Sequence, residues 1–241
     1  MKQFTVLTLF PEMFNDFITT SIIKKALAKK LIAIKIVNLR DYSIGKHHQV
    51  DDYQYGGGEG MVLMIEPLVK AIKAHRTKNS ITILLSPQGK QYNQYQAQQW
   101  ATQEQDLILI CGHYEGFDER ILHYVDYELS IGDYVLTGGE LASMIVIDSV
   151  ARLCNDVINT QSHLNDSFTN NLLDYPVYTK PVTYDDHLVP EVLLSGHHQN
   201  IAEWREYMAL KKTWLKRPDL LAEITLTAQQ EILLDKIKKE E

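Results

Sequence analysis

The chain has 241 residues, 45% of them hydrophobic and 23% charged, with a formal net charge of -7. That length accommodates one large domain or two, and no stretch approaches the ~18 uncharged apolar residues of a membrane span. Cys111 and Cys154 are too few for a secreted disulfide framework, and no leader is legible at the amino terminus, where Pro11 and Glu12 end a short apolar run, so a cytoplasmic protein with reduced thiols is expected.

In chain order, Gln3 to Leu9 reads as a buried strand, and Pro11 opens a helix carrying Met13, Phe14, Phe17, Ile18 and Ile22 at helical spacing. Ala33 to Leu39, Ile81 to Ser86, Leu107 to Cys111 and Tyr127 to Ile131 are short apolar or β-branched runs separated by stretches of helix or loop. Such alternation predicts an α/β fold around a mostly parallel sheet. Glu140 to Arg152 predicts a helix with few polar positions, buried nearly all round in the core or at a subunit interface. Polar residues then crowd from Asn155 to Asp166, which reads as a linker. The remainder is helical, with Ile201, Trp204 and Met208 on one face, and with a capping box at Thr227 to Gln230 before Ile232, Leu233, Leu234 and Ile237. The predicted division is an α/β domain over 1–153, a flexible linker over 154–171 and a small helical domain over 172–241.

Charge is unevenly spread. Between Lys24 and Lys46, Lys24, Lys25, Lys29, Lys30, Lys35, Arg40 and Lys46 face Asp41 alone, a local charge of +6. Between His197 and Pro218, Arg205, Lys211, Lys212, Lys216 and Arg217 face Glu203 and Glu206, a local charge of +3. Two basic islands on an acidic body suit a local polyanion site; they also suit solvated helix faces.

Three glycine-bearing loops follow predicted strands: Ser86 to Lys90, Gly112 to Gly116, and Ile131 to Glu140. Loops at the carboxyl ends of parallel strands are where open α/β sheets bind ligands, and glycine lets ligand atoms approach the backbone. Each alone also reads as a tight turn. Neither GxGxxG nor GxxxxGK[ST] occurs, which counts against dinucleotides and nucleoside triphosphates. A fourth loop, Asp51 to Met61, combines carboxylates, Tyr53, Tyr55 and four glycines, as either a cover for a flat base or a surface loop. The pairs His47-His48 and His197-His198 lack the spacing of a zinc site, so no metal ligands are assigned. Neither cysteine has a base partner, which argues against a nucleophilic thiol.

Taken together, the ordered blocks Thr8 to Phe14, Val50-Asp51-Asp52 with Tyr55 to Gly58, Leu85 to Gly89, Tyr114-Glu115-Gly116 with Asp118-Glu119-Arg120, Ser130 to Leu141, Asp166-Ser167-Phe168, Tyr178-Thr179 with Pro181, and Leu194 to His198 resemble the bacterial tRNA (guanine-N1)-methyltransferases of the SPOUT class across essentially the whole chain. The resemblance implies a deep trefoil knot, a rare exception to unknotted topology. It also implies a homodimer with a shared active site, S-adenosyl-L-methionine as cofactor with Mg²⁺ as an accessory ion, and methyl transfer to N1 of guanine 37 in tRNA. Carried over by position, the cofactor site is Pro87, Gly89, Gly112, Tyr114, Glu115, Gly116, Ile131, Gly132, Asp133, Tyr134, Val135, Leu136, Gly138 and Gly139. Asp166 is the general base and Arg152 its helper. By their spacing, Arg205, Lys212 and Lys216 would lie on one face of an unbroken helix and are candidate phosphate contacts for tRNA, with Gly196 nearby.

Those roles suit the chemistry. A carboxylate is a weak base for a guanine N1 proton, so a cation that stabilises charge building on the guanine O6 would assist it. The chain departs from the usual family pattern at Asn155 to Ile158, at His113 where arginine is common, at Ala142 and Glu59 where proline is usual, and at Val177 and Lys180. Those departures keep two other readings open, a methyltransferase for a different RNA position and a noncatalytic tRNA-binding protein; a nicotinamide-linked dehydrogenase is the third.

Overall fold

The computed structural model describes residues 1–43, 45, 48–159 and 166–240. Lys46 and His47, and the middle of the expected linker, lie outside them. The chain divides into two compact units, Met1–Thr160 and Gln161–Glu241.

The first unit is built on a five-stranded sheet. Its strands are β1 (Lys2–Thr8), β2 (Ile32–Asn38), β5 (Ser80–Gln91), β6 (Asp106–Cys111) and β7 (Tyr127–Ser130), in the order β2-β1-β6-β5-β7. Every pairing in it is parallel. Two short strands, β3 (Asp51–Asp52) and β4 (Val62–Leu63), form a separate antiparallel pair flanking the fourth loop. Successive residues of β6 point to opposite faces: Leu107, Leu109 and Cys111 join one core with Phe4, Val6, Trp100, Val146 and Ile147, while Ile108 and Ile110 join another with Leu7, Leu68, Ile72 and Ile121. A parallel sheet must be covered on both faces, and here α3 (Ile65–His75) serves one core, while α4 (Gln94–Thr102) and α5 (Glu140–Ala151) serve the other.

In the first unit the structure corrects two sequence expectations. The helix predicted from Pro11 is broken into a 3-10 turn (Pro11–Phe14), α1 (Asn15–Thr19) and α2 (Ser21–Ala28). At the break, the Thr19 and Thr20 hydroxyls donate to the carbonyls of Asn15 and Asp16 at 2.7 Å each, and Thr20 is extended, so side-chain hydrogen bonds compete with the helix's own. Strand β5 runs past Ser86 to Gln91, with its register against β7 shifting between Leu85 and Lys90. Pro87, which has no N–H to give a ladder, sits inside that irregularity. Within one chain the helix α5 is buried along one face, and Leu141 and Ile145 are 49% and 45% exposed, so burial all round would require a second subunit.

The second unit contains a small hairpin, β8 (Thr183–Tyr184) with β9 (His187–Leu188), and the helices α6 (Glu191–Leu194), α7 (His198–Lys216), α8 (Pro218–Ala222) and α9 (Ala228–Glu240). The helical expectation did not include the hairpin. Leu210 and Thr213 of α7 and Ile237 of α9 are buried as these helices pack together. The Thr213 hydroxyl donates to the Ala209 carbonyl at 2.7 Å and accepts from the Leu173 N–H at 2.9 Å, fixing the incoming segment on α7. The capping box is present: the Thr227 N–H donates to Gln230 Oε1 at 3.0 Å, and the Gln230 N–H donates to Thr227 Oγ1 at 3.2 Å.

Candidate functional site

The irregular stretch of β5 and the loops that leave β6 and β7 at their carboxyl ends surround a cavity of about 310 Å³ in the first unit. Of the expected cofactor residues, Pro87, Gly112, Tyr114, Glu115, Gly116, Ile131, Gly132, Tyr134, Val135, Leu136, Gly138 and Gly139 line it. Gly89 and Asp133 are not among the lining residues. Gly89 serves chain packing instead: a Cβ there would lie 2.7 Å from the Glu128 carbonyl oxygen and closer still to Glu128 C and Leu129 N.

Local conformation explains the glycines and one tyrosine. Gly116 has φ +126, and a Cβ built on it meets no atom within 4 Å, so the wall is open at that point. Tyr114, with φ 61, is held in the left-handed region that non-glycine residues avoid. The turn containing it is pinned by backbone hydrogen bonds. The Glu115 N–H donates to the Met61 carbonyl at 3.0 Å, and the Leu63 N–H donates to the Gly116 carbonyl at 2.9 Å. The glycine loop of residues 53–60 is therefore tethered at its exit to the cavity wall, with Tyr53 and Tyr55 exposed.

The electrostatics favour a cationic or neutral ligand. Among the described residues the lining holds Glu115, Glu119 and Glu128 but no lysine or arginine. A polyphosphate needs positive partners, and the helix amino terminus on this wall, at Gly139, is already followed by the buried Glu140 carboxylate, so this composition disfavours nicotinamide dinucleotides and nucleoside triphosphates. The volume is in the range of small-molecule sites, and backbone polar groups exposed by glycine can read a base edge. An adenosine-bearing sulfonium fits both the size and the sign of this wall. Cys111 beneath the cavity is fully buried, and its thiol is pushed well above its usual value by that burial first and by the Glu140 carboxylate second, so it is no nucleophile.

Sequence reasoning did not single out a buried polar group at this cavity. Glu140, at the start of α5, is 1% exposed. Its Oε1 accepts from the Thr8 hydroxyl at 2.5 Å, and its Oε2 accepts from His113 Nε2 at 2.7 Å. The available signal was a lone acid after Gly138-Gly139 at the head of an apolar helix, which reads equally well as an N-terminal dipole partner.

In the second unit, Asp166 is half-buried and lines a cavity of about 340 Å³ with Asn170, Asp174, Tyr175, Arg205, Glu206 and Gln230. The Arg205 guanidinium lies 4.9 Å from the Tyr175 ring centroid. Arg205, Lys212 and Lys216 fall on α7, which runs unbroken for 19 residues, so their spacing puts them on one side of it. Gly196, with φ +73, precedes that helix. Arg152 is the C-terminal cap of α5 in the first unit. Among the described residues no group of three or more histidine, cysteine, aspartate or glutamate side chains is gathered to hold a metal, and no helix is long and apolar enough to cross a membrane.

The profile of the tRNA (Guanine-1)-methyltransferase TrmD family matches residues 1–223. A tRNA (guanine-N(1)-)-methyltransferase of Spiroplasma kunkelii is 79% identical over 240 residues, covering 100% of this chain and 90% of that protein. The protein of the same name from Mycoplasma mycoides is 54% identical over 239 residues, covering 99% of this chain and 100% of the relative. That of Macrococcus caseolyticus is 52% identical over 236 residues, covering 97% and 98%. Cavity, loop glycines and full-length relatives agree, and the chain belongs to the tRNA (guanine-1)-methyltransferase family.

Proposed function

We propose that this protein transfers a methyl group from S-adenosyl-L-methionine to N1 of guanine 37 in tRNA, acting in the cytoplasm as a homodimer. The observation that carries the donor assignment is the cavity wall, where the irregular stretch of β5 and the loops after β6 and β7 supply backbone polar groups, and where the described residues include glutamates but no lysine or arginine. When bound, the sulfonium supplies an already activated methyl group, so the protein has to align the acceptor and dispose of the N1 proton. Pro87, Gly112, Tyr114, Gly116, Ile131 and Gly138 are the residues we assign to holding it. We read the three loops around this cavity as a deep trefoil knot, a reading supported by the family membership.

Asp166 is assigned as the base that removes the N1 proton, and Arg152 as the cation that stabilises negative charge on the guanine O6. Support for Asp166 comes from its place on a cavity wall beside Arg205 and Tyr175, a cation and an aromatic face suited to nucleotides. Arg205, Lys212 and Lys216 are assigned to tRNA phosphates, with Gly196 giving the backbone room before α7. The exposed Leu141 and Ile145 on α5 support a second copy of the chain as the covering partner. We assign no step to Mg²⁺, since the described residues gather no ligand set for it.

The test is transfer of labelled methyl from S-adenosyl-L-methionine to an unmodified tRNA with guanine at positions 36 and 37, followed by nucleoside analysis. N1-methylguanosine at position 37 is expected. Asp166→Ala should abolish turnover while leaving donor affinity nearly unchanged, because a base acts only in the chemical step. Equal losses in both would remove Asp166 from that role, and label at another position would change the substrate assignment.

A further inference from the structure

Resting on the donor assignment above, we propose that His113, acting through the buried Glu140, is a positioning residue that holds the Gly112 to Gly116 turn in its donor-binding form. Three chain segments meet at the Glu140 carboxylate: the end of β1 through Thr8, the loop after β6 through His113, and the head of α5 that carries Glu140 itself. A carboxylate at 1% exposure needs donors on both oxygens, and it has them. With the Glu140 oxygen as acceptor, His113 Nε2 is the donor of this bond, which orients the ring plane. The Phe10 ring, 4.7 Å from the imidazole centroid, closes the other side. Phe10 is tied into the same cluster, since its N–H donates to Thr8 Oγ1 at 2.9 Å.

What this cluster holds in place is a strained turn. Tyr114 follows His113 directly and sits at φ 61; such a conformation persists only where its surroundings impose it. The far side of the turn is imposed by the backbone bonds of Glu115 to Met61 and of Leu63 to Gly116. The near side is imposed by the His113 side chain on Glu140 and by the Gly139 N–H, which donates to the Gly112 carbonyl at 2.9 Å. Gly138 and Gly139 are glycines for the same reason. A Cβ at 138 would collide with the His113 ring and come 2.6 Å from Glu140 Oε2, and one at 139 would come 2.7 Å from Cys111 Cα.

The test is titration calorimetry of the full chain with S-adenosylhomocysteine, which cannot donate a methyl group, alongside tRNA binding and denaturant unfolding. Loss of a hydrogen bond that holds the binding form should weaken the nucleoside by about ten-fold or more in His113→Leu, while tRNA affinity stays within about two-fold. His113→Gln, whose amide can donate to the same oxygen, should restore affinity to within about three-fold of the parent. Parental affinity in His113→Leu overturns the inference, and so does a loss in His113→Gln as large as in His113→Leu, which would make ring shape rather than the hydrogen bond responsible. If His113→Leu does not fold, His113→Gln decides alone: retained affinity supports the role and a ten-fold loss overturns it. Failure of the unaltered chain to bind the nucleoside refutes the donor assignment itself, and the inference with it.

Discussion

Gly89→Ala separates a packing role from a ligand-contact role, because this glycine lies outside the cavity lining but packs against the backbone of β7, which lines it. The added methyl would sit 2.7 Å from the Glu128 carbonyl oxygen and nearer to two other backbone atoms, and neither backbone can rotate out of the way as a side chain could. Relief requires β5 and β7 to part, which sacrifices the pairings Lys90 with Leu129 and Gln91 with Ser130. Two backbone hydrogen bonds at about 1 kcal/mol each, plus about 1 kcal/mol of overpacking, give a loss of about 3 kcal/mol. For a chain of this size that corresponds to a fall in melting temperature of about 6–12 °C. Ser86, Pro87 and Gln88 on one strand and Glu128 and Leu129 on the other line the cavity, so donor affinity should fall together with stability. Denaturant unfolding paired with S-adenosylhomocysteine titration reads both. A midpoint within about 0.5 kcal/mol of the parent would refute the argument, since a surface-like tolerance is incompatible with a backbone collision.

Two further outcomes follow from buried groups. The Thr82 hydroxyl is buried in β5 without a hydrogen-bond partner among the described residues, so Thr82→Val, which keeps the shape and removes the orphaned hydroxyl, should raise the unfolding free energy by about 1 kcal/mol; a lower value would mean the hydroxyl has a partner. Burial pushes the Tyr92 hydroxyl up to about 12, against the smaller opposite effect of its 2.7 Å hydrogen bond with Ser149. An unfolded tyrosine ionises near ~10, so this contribution is intact below that pH and is lost as pH rises toward 12. Unfolding free energies at pH 8 and 11 should therefore fall less steeply in Tyr92→Phe than in the parent, and equal slopes would count against the burial argument.

Much of the first unit was legible because its strands are covered on both faces. Continuous runs such as Leu107 to Cys111 permit no polar alternative, and apart from the end of β5 the structure moves their limits by one residue at most. The extension of β5 was hidden, since Pro87 and Gly89 signal a turn in sequence and only the β7 partner converts them into a strand irregularity. The break at Thr20 was hidden for a different reason: apolar spacing from Phe14 to Ile22 continues smoothly across it, while two threonine hydroxyls capture the carbonyls. The hairpin of residues 183–188 has no hydrophobic alternation to announce it, and its strands are exposed throughout. At the site, glycines and strand ends located the cavity. The Glu140 cluster was illegible because Thr8, His113 and Glu140 are brought together only by the parallel crossovers, with 132 residues separating the first from the last.

Strand β1 begins at Lys2, yet one of its two neighbours in the sheet, β6, ends only at Cys111. On a ribosome adding about 5–20 residues per second, the amino-terminal strand waits roughly 5–20 seconds between its own emergence and that of its second partner. During that interval β2 can cover one edge, while the backbone N–H and C=O groups of the other edge stay unpaired. Synthesis order thus imposes a vulnerable interval on every copy made. A slower translation rate lengthens it, and a chaperone that shields apolar strand edges would be needed most between the completion of β2 and the arrival of β6.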